Sequence, residues 1–338
     1  MAPLVLVTGA TGLIGFRVLL ETLRKGYQVR FAARSEEKAQ KVLSRPAIES
    51  LNAGDQLSYV VVPNSTISGA YDEALQGVSY VLHVGTPVPV PTYDPITEVY
   101  QPTVESVAHL LQSALKVPTL KRIVITSSIL ANLAPMPDPT VSSSAATRIP
   151  ITSPPETLSG VFDAYIYGKI IELNATDEFV ATHHPHFNVA HIFPGYVFGR
   201  NHLVDGDEII TKNSSNGYLL ASITGKDLGM PLYGGYVHID DLADLHLRVL
   251  ELAPSSSTPS AFGACTTIDE FNSFEVVEKV FPKAVADGTF SRGVMPRLPI
   301  SYDSSETERT LGMKFSSFER AVVDTAAQYL ESLGKELA

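Results

Sequence analysis

Residues 4–15 read Leu4-Val5-Leu6-Val7-Thr8-Gly9-Ala10-Thr11-Gly12-Leu13-Ile14-Gly15. Four apolar residues in succession, with no polar alternation, mark a strand buried on both faces. Glycines at 9, 12 and 15 follow at once. Leu13 to Arg24 then has helical spacing, with Gly26 as its stop. Strand, G-x-x-G-x-x-G turn and helix, in that order, give each glycine a use. Gly9 permits the tight turn, Gly12 lets the backbone approach a pyrophosphate, and Gly15 lets helix and strand pack closely. Gly9, Ala10, Thr11, Gly12, Leu13 and Ile14 are therefore the expected phosphate cradle, with the N–H groups and positive end of the helix turned towards it.

The same alternation continues outward. Strands are expected at Val29–Ala33, Tyr59–Val62, Tyr80–Val84, Arg122–Thr126 and Asn188–Phe193, with helices at about Thr97–Lys116 and Ala164–Thr182 between them. Repeated β-α-β units imply a parallel sheet covered on both faces. The expected fold is α/β: a Rossmann-type doubly wound parallel sheet with a smaller, mostly C-terminal substrate-binding lobe. Residues 1–195 form mainly the nucleotide-binding part and 196–338 mainly the substrate lobe, with the chain crossing back to the sheet near 236–255. Later helices are expected at Asp241–Leu252, Phe274–Val280 and Ser317–Leu333. Pro135–Leu158 and the Ser/Pro run Pro254–Ser260 read as loops.

The net charge of −11 over 338 residues argues against non-specific nucleic-acid binding. The single cysteine, Cys265, excludes an intrachain disulfide and reads as a buried, inert thiol. Met1-Ala2-Pro3 runs directly into the first strand without the features of a signal peptide, and no apolar run reaches the ~20 residues of a membrane span. The expectation is a cytoplasmic protein that engages neither membrane nor nucleic acid, as a monomer or homodimer.

Strand two ends in Ala32-Ala33-Arg34-Ser35-Glu36-Glu37-Lys38. NAD-binding folds tend to place an acid after this strand, on the ribose 2′-hydroxyl. Here Arg34 takes that position, and its planar donor fork suits a 2′-phosphate, with Lys38 one turn on. NADPH is the expected cofactor. Downstream, Tyr165-Ile166-Tyr167-Gly168-Lys169 is Tyr-x-x-x-Lys at helical spacing, so phenol and ammonium share a face. A neighbouring cation would lower the phenol pKa. The strand-five end, Thr126-Ser127-Ser128, offers a hydroxyl to a reacting carbonyl oxygen.

On these motifs, with Pro194-Gly195-Tyr196-Val197-Phe198-Gly199 and Gly234 through Asp241, the chain resembles an extended short-chain dehydrogenase/reductase. It looks closest to the dihydroflavonol-reductase-like group, including fungal methylglyoxal-type aldehyde and ketone reductases. The resemblance implies that Ser128, rather than Ser127, joins Tyr165 and Lys169 as catalytic residues. It implies that the 83–87 turn, with Thr86, lies beside the cofactor, as do Tyr165, Lys169, Pro194, Val197 and Ser215, with Lys169 able to hold the nicotinamide ribose. Asn64, with Ser65, takes the place of an adenine-side Asp, and Glu105 that of a relay Asn. Val88, Val90, Ile129, Leu133, Phe162 and Tyr196 are the expected substrate pocket. Their apolar character favours a hydrophobic ketone or aldehyde over a sugar nucleotide.

Two other functions stay open on the residues alone. A nucleotide-sugar epimerase or dehydratase would hold NAD(H) tightly and usually shows the acid that Arg34 replaces. A non-catalytic NADP(H)-binding sensor commonly lacks Tyr-x-x-x-Lys. The His183, His184 and His186 group reads as a surface turn, so no metal is expected. Asp240-Asp241 reads as a helix N-cap.

Overall fold

Seven parallel strands form the central sheet of the computed structural model, which describes residues 2–204, 208, 214–253 and 259–337. Five come from the first half of the chain: β1 (Leu4–Thr8), β2 (Gln28–Ala33), β3 (Leu57–Val61), β4 (Tyr80–His83) and β5 (Arg122–Thr126). They are joined by β6 (Asn188–Pro194) and a late strand, Ala261–Ala264. The helices that matter for the site are α1 (Leu13–Arg24), α2 (Glu36–Leu43), α3 (Gln101–Ala114) and α4 (Val161–His183). The smaller lobe contains β7 (Tyr196–Phe198), α5 (Asn216–Ile223) and β8 (Gly235–His238). The chain then returns through α6 (Ile239–Glu251) and β9 (Ala261–Ala264) to the main sheet, and leaves again through β10 (Thr266–Thr267), α7 (Ser273–Val280) and α8 (Phe318–Ser332).

Strand order in the main sheet is β9-β6-β5-β4-β1-β2-β3. Successive strands step outwards in one direction from β1 and in the other from β4, so the order reverses between them. Ligands of doubly wound sheets sit in the crevice outside the carboxyl ends at that reversal. The sheet is buried because its strands alternate between two apolar layers. Val5 and Val7 of β1 face one layer with Val18, Leu19 and Leu20 of α1 and Leu242 and Leu245 of α6. Leu6 faces the other, with Val81, Ile123 and Ile125 from neighbouring strands and Val107, Leu110 and Leu111 of α3. A separate core in the small lobe packs Leu219 and Ile223 of α5 and Val277 of α7 against Val322, Ala326 and Leu330 of α8.

The six expected main-sheet strands are present within a residue or two, and Ala261–Ala264 adds a seventh that no alternation signals. The helix expected over Thr97–Lys116 divides into a π-turn, Pro95–Tyr100, and α3. The Asp240-Asp241 expectation needs correction. The N-cap of α6 is His238, whose Nδ1 accepts from the Asp240 N–H at 3.2 Å, and both aspartates lie in the first turn. The Pro135–Leu158 loop includes a short strand, Ser142–Ser144, paired with Ser301–Asp303. Within the expected surface run, Pro254 to Thr258 lie outside the described residues. Among the described residues no helix is long and apolar enough to cross a membrane.

Candidate active site

The glycine turn sits at the strand-order reversal. Gly9 adopts φ +74°, and a Cβ there would lie 2.7 Å from Gly85 Cα in the loop after β4. A Cβ at Gly15 would be driven into the Gly9 carbonyl. The two glycines therefore let α1 and the β4 loop close on the same turn. Gly12 is the N-cap of α1 and its N–H bonds Gly9 O at 2.9 Å. As a glycine, the N-cap offers no side chain to the first-turn N–H groups of the helix. These are the donors a pyrophosphate would take, so the turn fits a dinucleotide.

Thr8 ties the two sides of the crevice together. Its Oγ1 accepts from the N–H groups of Val84 and Gly85, both at 3.1 Å, and lies 3.0 Å from His83 Nδ1. With its lone pairs so engaged, the hydroxyl donates to Nδ1, which places the imidazole proton on Nε2. That Nε2 is buried and has no partner among the described residues. Burial pushes the His83 pKa down to about 4, assisted by the Lys169 charge, so the ring is neutral.

Beyond β2, Arg34 and Lys38 are both exposed. Ser35 caps α2 by accepting from the Lys38 N–H at 3.3 Å, which places Lys38 in the first turn of the helix that follows Arg34. Asn64 is exposed, and its Oδ1 accepts from the Thr66 N–H (2.9 Å) and hydroxyl (2.7 Å). Ser65 and Arg34 are both near enough to act on the buried Tyr71 phenol, each opposing the rise that burial imposes on it. Arg34, Ser65 and Tyr71 thus gather beyond β2 and β3. Across the crevice, Pro194 ends β6, and the Val197 carbonyl accepts from the Ser215 hydroxyl.

Tyr165 and Ser128 are neighbours. Ser128 opens a short turn after β5, accepting from the Leu130 N–H at 3.2 Å, and its side chain lies close enough to act on the Tyr165 phenol. Burial pushes the Tyr165 pKa up to about 12 against the influence of Ser128, with the Glu172 charge adding to the rise. The lowered phenol pKa expected from the Tyr-x-x-x-Lys spacing is therefore not found, because dehydration of the ring dominates. Lys169 lies on the same helix with 1% of its surface exposed. Its Nζ donates to Thr86 Oγ1 at 3.0 Å and to Thr126 O at 3.3 Å. Through Gly85 against Gly9, and Thr86 against Lys169, glycine cradle and tyrosine helix belong to one cleft.

Of the expected substrate residues, Ile129 and Leu133 are buried in one apolar cluster, with Phe162, Tyr165 and Tyr196 packed against it. Val88, 52% exposed, and Val90 are not in that cluster; they lie on the loop after β4. Tyr233, which the sequence does not mark, stacks on Phe162 at 6.1 Å, and Tyr218 meets Tyr196 edge-on at 5.9 Å. Glu105 lies beside Tyr100. Cys265 is buried behind the cluster, where burial pushes its thiol up to about 12.

Two polar groups near Lys169 escaped sequence reasoning, Glu172 and His191; Thr126 and His83 lie in stretches the sequence did mark. Glu172 had a signal, since it falls seven residues after Tyr165 and three after Lys169 on the same helix stripe. The histidines His183, His184 and His186 serve locally: His183 Nδ1 contacts Phe179 O at 3.1 Å, His184 ends α4 with φ +44°, and His186 Nε2 contacts Val117 O at 2.9 Å.

Residues 5–262 match the description of the NAD dependent epimerase/dehydratase family. The chain is similar to the ketoreductase CTB6 of Cercospora nicotianae, with 33% identity over 97% of this chain and 95% of the relative. It is 27% identical to the putative NADPH-dependent methylglyoxal reductase GRP2 of Candida albicans, over 96% of this chain and 98% of that one. Among solved structures, yeast methylglyoxal/isovaleraldehyde reductase Gre2, complexed with NADPH, shares the fold with a TM-score of 0.83 at 24% identity, covering 98% of this chain and 100% of that one. The family match runs from the first strand through the glycine turn and the Tyr165 helix into the late edge strand of the sheet, and the chain belongs to the NAD dependent epimerase/dehydratase family.

Proposed function

We propose that this protein is an NADPH-dependent carbonyl reductase that converts a hydrophobic ketone or aldehyde into an alcohol, with Tyr165 as proton donor. The observation that carries the reading is that Tyr165, with Ser128 near its phenol, shares a helix with Lys169, whose amine bonds Thr86 next to Gly85, the residue that closes on the glycine turn. The names of the fungal relatives, a ketoreductase and an NADPH-dependent reductase, support the same chemistry.

The residues would divide the task as follows. Gly9 to Ile14 hold the pyrophosphate on the α1 N-terminus, while Arg34 and Lys38 bind the 2′-phosphate. Asn64 and Ser65 border the adenine, Thr86, Pro194 and Val197 border the nicotinamide end, and Ser215 lies where it would contact the pyrophosphate. NADPH, when bound, supplies the hydride. Ser128 donates a hydrogen bond to the carbonyl oxygen as charge develops there. Tyr165 delivers the proton. Burial keeps the phenol protonated at neutral pH, the state a proton donor requires. Lys169, held by Thr86 and the Thr126 carbonyl, supplies positive charge beside the site. Ile129, Leu133, Phe162 and Tyr196, with Val88 and Val90 on the loop after β4, offer an apolar surface that excludes water from the reacting carbonyl.

The test is consumption of NADPH, followed by its absorbance, across a panel of ketones, aldehydes and diketones. Tyr165→Phe is expected to bind NADPH with unchanged Kd and to lose about 10²–10⁴-fold in kcat. Turnover by Tyr165→Phe equal to that of the parent would remove the assignment of the acid. Failure of the parent on the whole panel would remove the reductase reading.

A further inference from the structure

The Lys169 ammonium is almost wholly dehydrated, and something must keep its charge in place. Besides Thr86 Oγ1 and Thr126 O, its Nζ faces Glu172 Oε2 at 3.6 Å, one turn further along α4. Glu172 has no exposed side-chain surface, and three other elements close around it. From β6, His191 Nε2 approaches Oε1 at 3.4 Å; an ionised carboxylate only accepts, so the imidazole donates. After β5, the Ser127 hydroxyl donates to Oε2 at 3.5 Å. From β4, His83 is close enough to feel both charges, Lys169 lowering its pKa and Glu172 raising it. Tyr165 shares the helix stripe and is raised by the carboxylate.

We propose that Glu172 is a positioning residue: a buried counter-charge that keeps the Lys169 amine protonated and turned towards Thr86 and Thr126, with His191 anchoring the carboxylate from behind. This rests on the carbonyl-reductase reading for its effect on turnover. The electrostatics agree with the geometry. Burial lowers the Lys169 pKa, and Glu172 offsets this only in part, so the amine stays below its ordinary value. Burial likewise opposes ionisation of Glu172, but Lys169 and His191 prevail and hold its carboxyl below the usual range. Each charge is tolerable in the interior because the other is there. The arrangement also makes the site asymmetric. Glu172 sustains the Lys169 cation, yet the same negative charge raises Tyr165, so the carboxylate favours a protonated phenol next to a protonated amine.

The decisive substitution is Glu172→Gln, which keeps size and polarity and removes the charge. The amine should then lose its proton at lower pH. The alkaline limb of the kcat–pH profile is expected to move down by about one pH unit or more, a loss of about tenfold on that limb, with little change on the acid side. Glu172→Asp, which retains the charge, should return the limb towards its parental position. An alkaline limb that stays where the parent has it, whatever the overall loss of rate, overturns the proposal. A second measurement does not depend on turnover or on the folding of Glu172→Gln. Lys169→Met strands the carboxylate, so Lys169→Met/Glu172→Gln should resist urea better than Lys169→Met alone. A double variant no more stable than the single one overturns the ion pair. If the parent reduces no carbonyl, the functional reading fails while the urea comparison still decides the pairing.

Discussion

Acid should destabilise this protein through His246, and the size of the effect follows from its surroundings. The ring is fully buried in α6. Its Nδ1 lies 2.7 Å from Leu242 O and its Nε2 2.6 Å from Thr126 Oγ1. A carbonyl only accepts, so Nδ1 carries the proton and Nε2 accepts from the threonine hydroxyl. Burial pushes the pKa from 6.5 down to about 4, against the Leu242 hydrogen bond. The unfolded chain therefore takes up this proton before the folded one does. The stability contributed by the neutral ring is complete above pH 6.5 and is lost as pH falls from there towards about 4. The gap corresponds to about 3 kcal/mol in total, of which about 2 kcal/mol is lost between pH ~7 and ~5. Because the chain has no tryptophan, far-UV circular dichroism is the convenient probe of urea unfolding. His246→Gln, which cannot take up the proton, should lose about 2 kcal/mol less than the parent over that interval. An equal loss in parent and variant would refute the assignment of the neutral tautomer. The consequence reaches the site, since the carbonyl of Thr126 accepts from Lys169.

Two further outcomes can be checked directly. Replacing exposed Arg34 and Lys38 together by alanine should raise KM for NADPH about 10–100-fold while leaving NADH within a few-fold, measured by steady-state kinetics with each cofactor; equal losses for both would sink the 2′-phosphate assignment. Gly15→Ala drives a methyl into the Gly9 carbonyl and should cost about 1–3 kcal/mol in thermal unfolding together with dinucleotide affinity, so an unshifted Tm would contradict the close packing of that turn.

What could be read from the sequence was local. The glycine turn announced itself because three glycines fall between a buried strand and a helix. Tyr165 and Lys169 did so because helical spacing alone puts them on one face. Contacts made by register were hidden. His191 reaches Glu172 because β6 lies beside β5, with Ile125 opposite His191, and no spacing along the chain encodes that pairing. His238 caps α6 although histidine is not among the usual capping residues, so the adjacent aspartates drew the expectation instead. The last strand of the sheet, Ala-Phe-Gly-Ala, is four residues long with a glycine inside it, too short and too weakly β-forming to stand out. The expected phenol pKa failed for a different reason: spacing locates a cation, but only burial determines how much dehydration opposes it.

That short strand has a consequence for how the chain can be made and divided. Because Ala261–Ala264 hydrogen-bonds along the open side of Asn188–Pro194, a polypeptide stopped near residue 195 would present an unsatisfied backbone ladder to solvent. On the ribosome the strands up to residue 194 must wait for some seventy further residues before this border is sealed, and until then it is open to pairing with another nascent chain. A chimera that exchanged the C-terminal part of the chain would have to carry this four-residue clasp along with it, although the apolar cores on the two sides are separate.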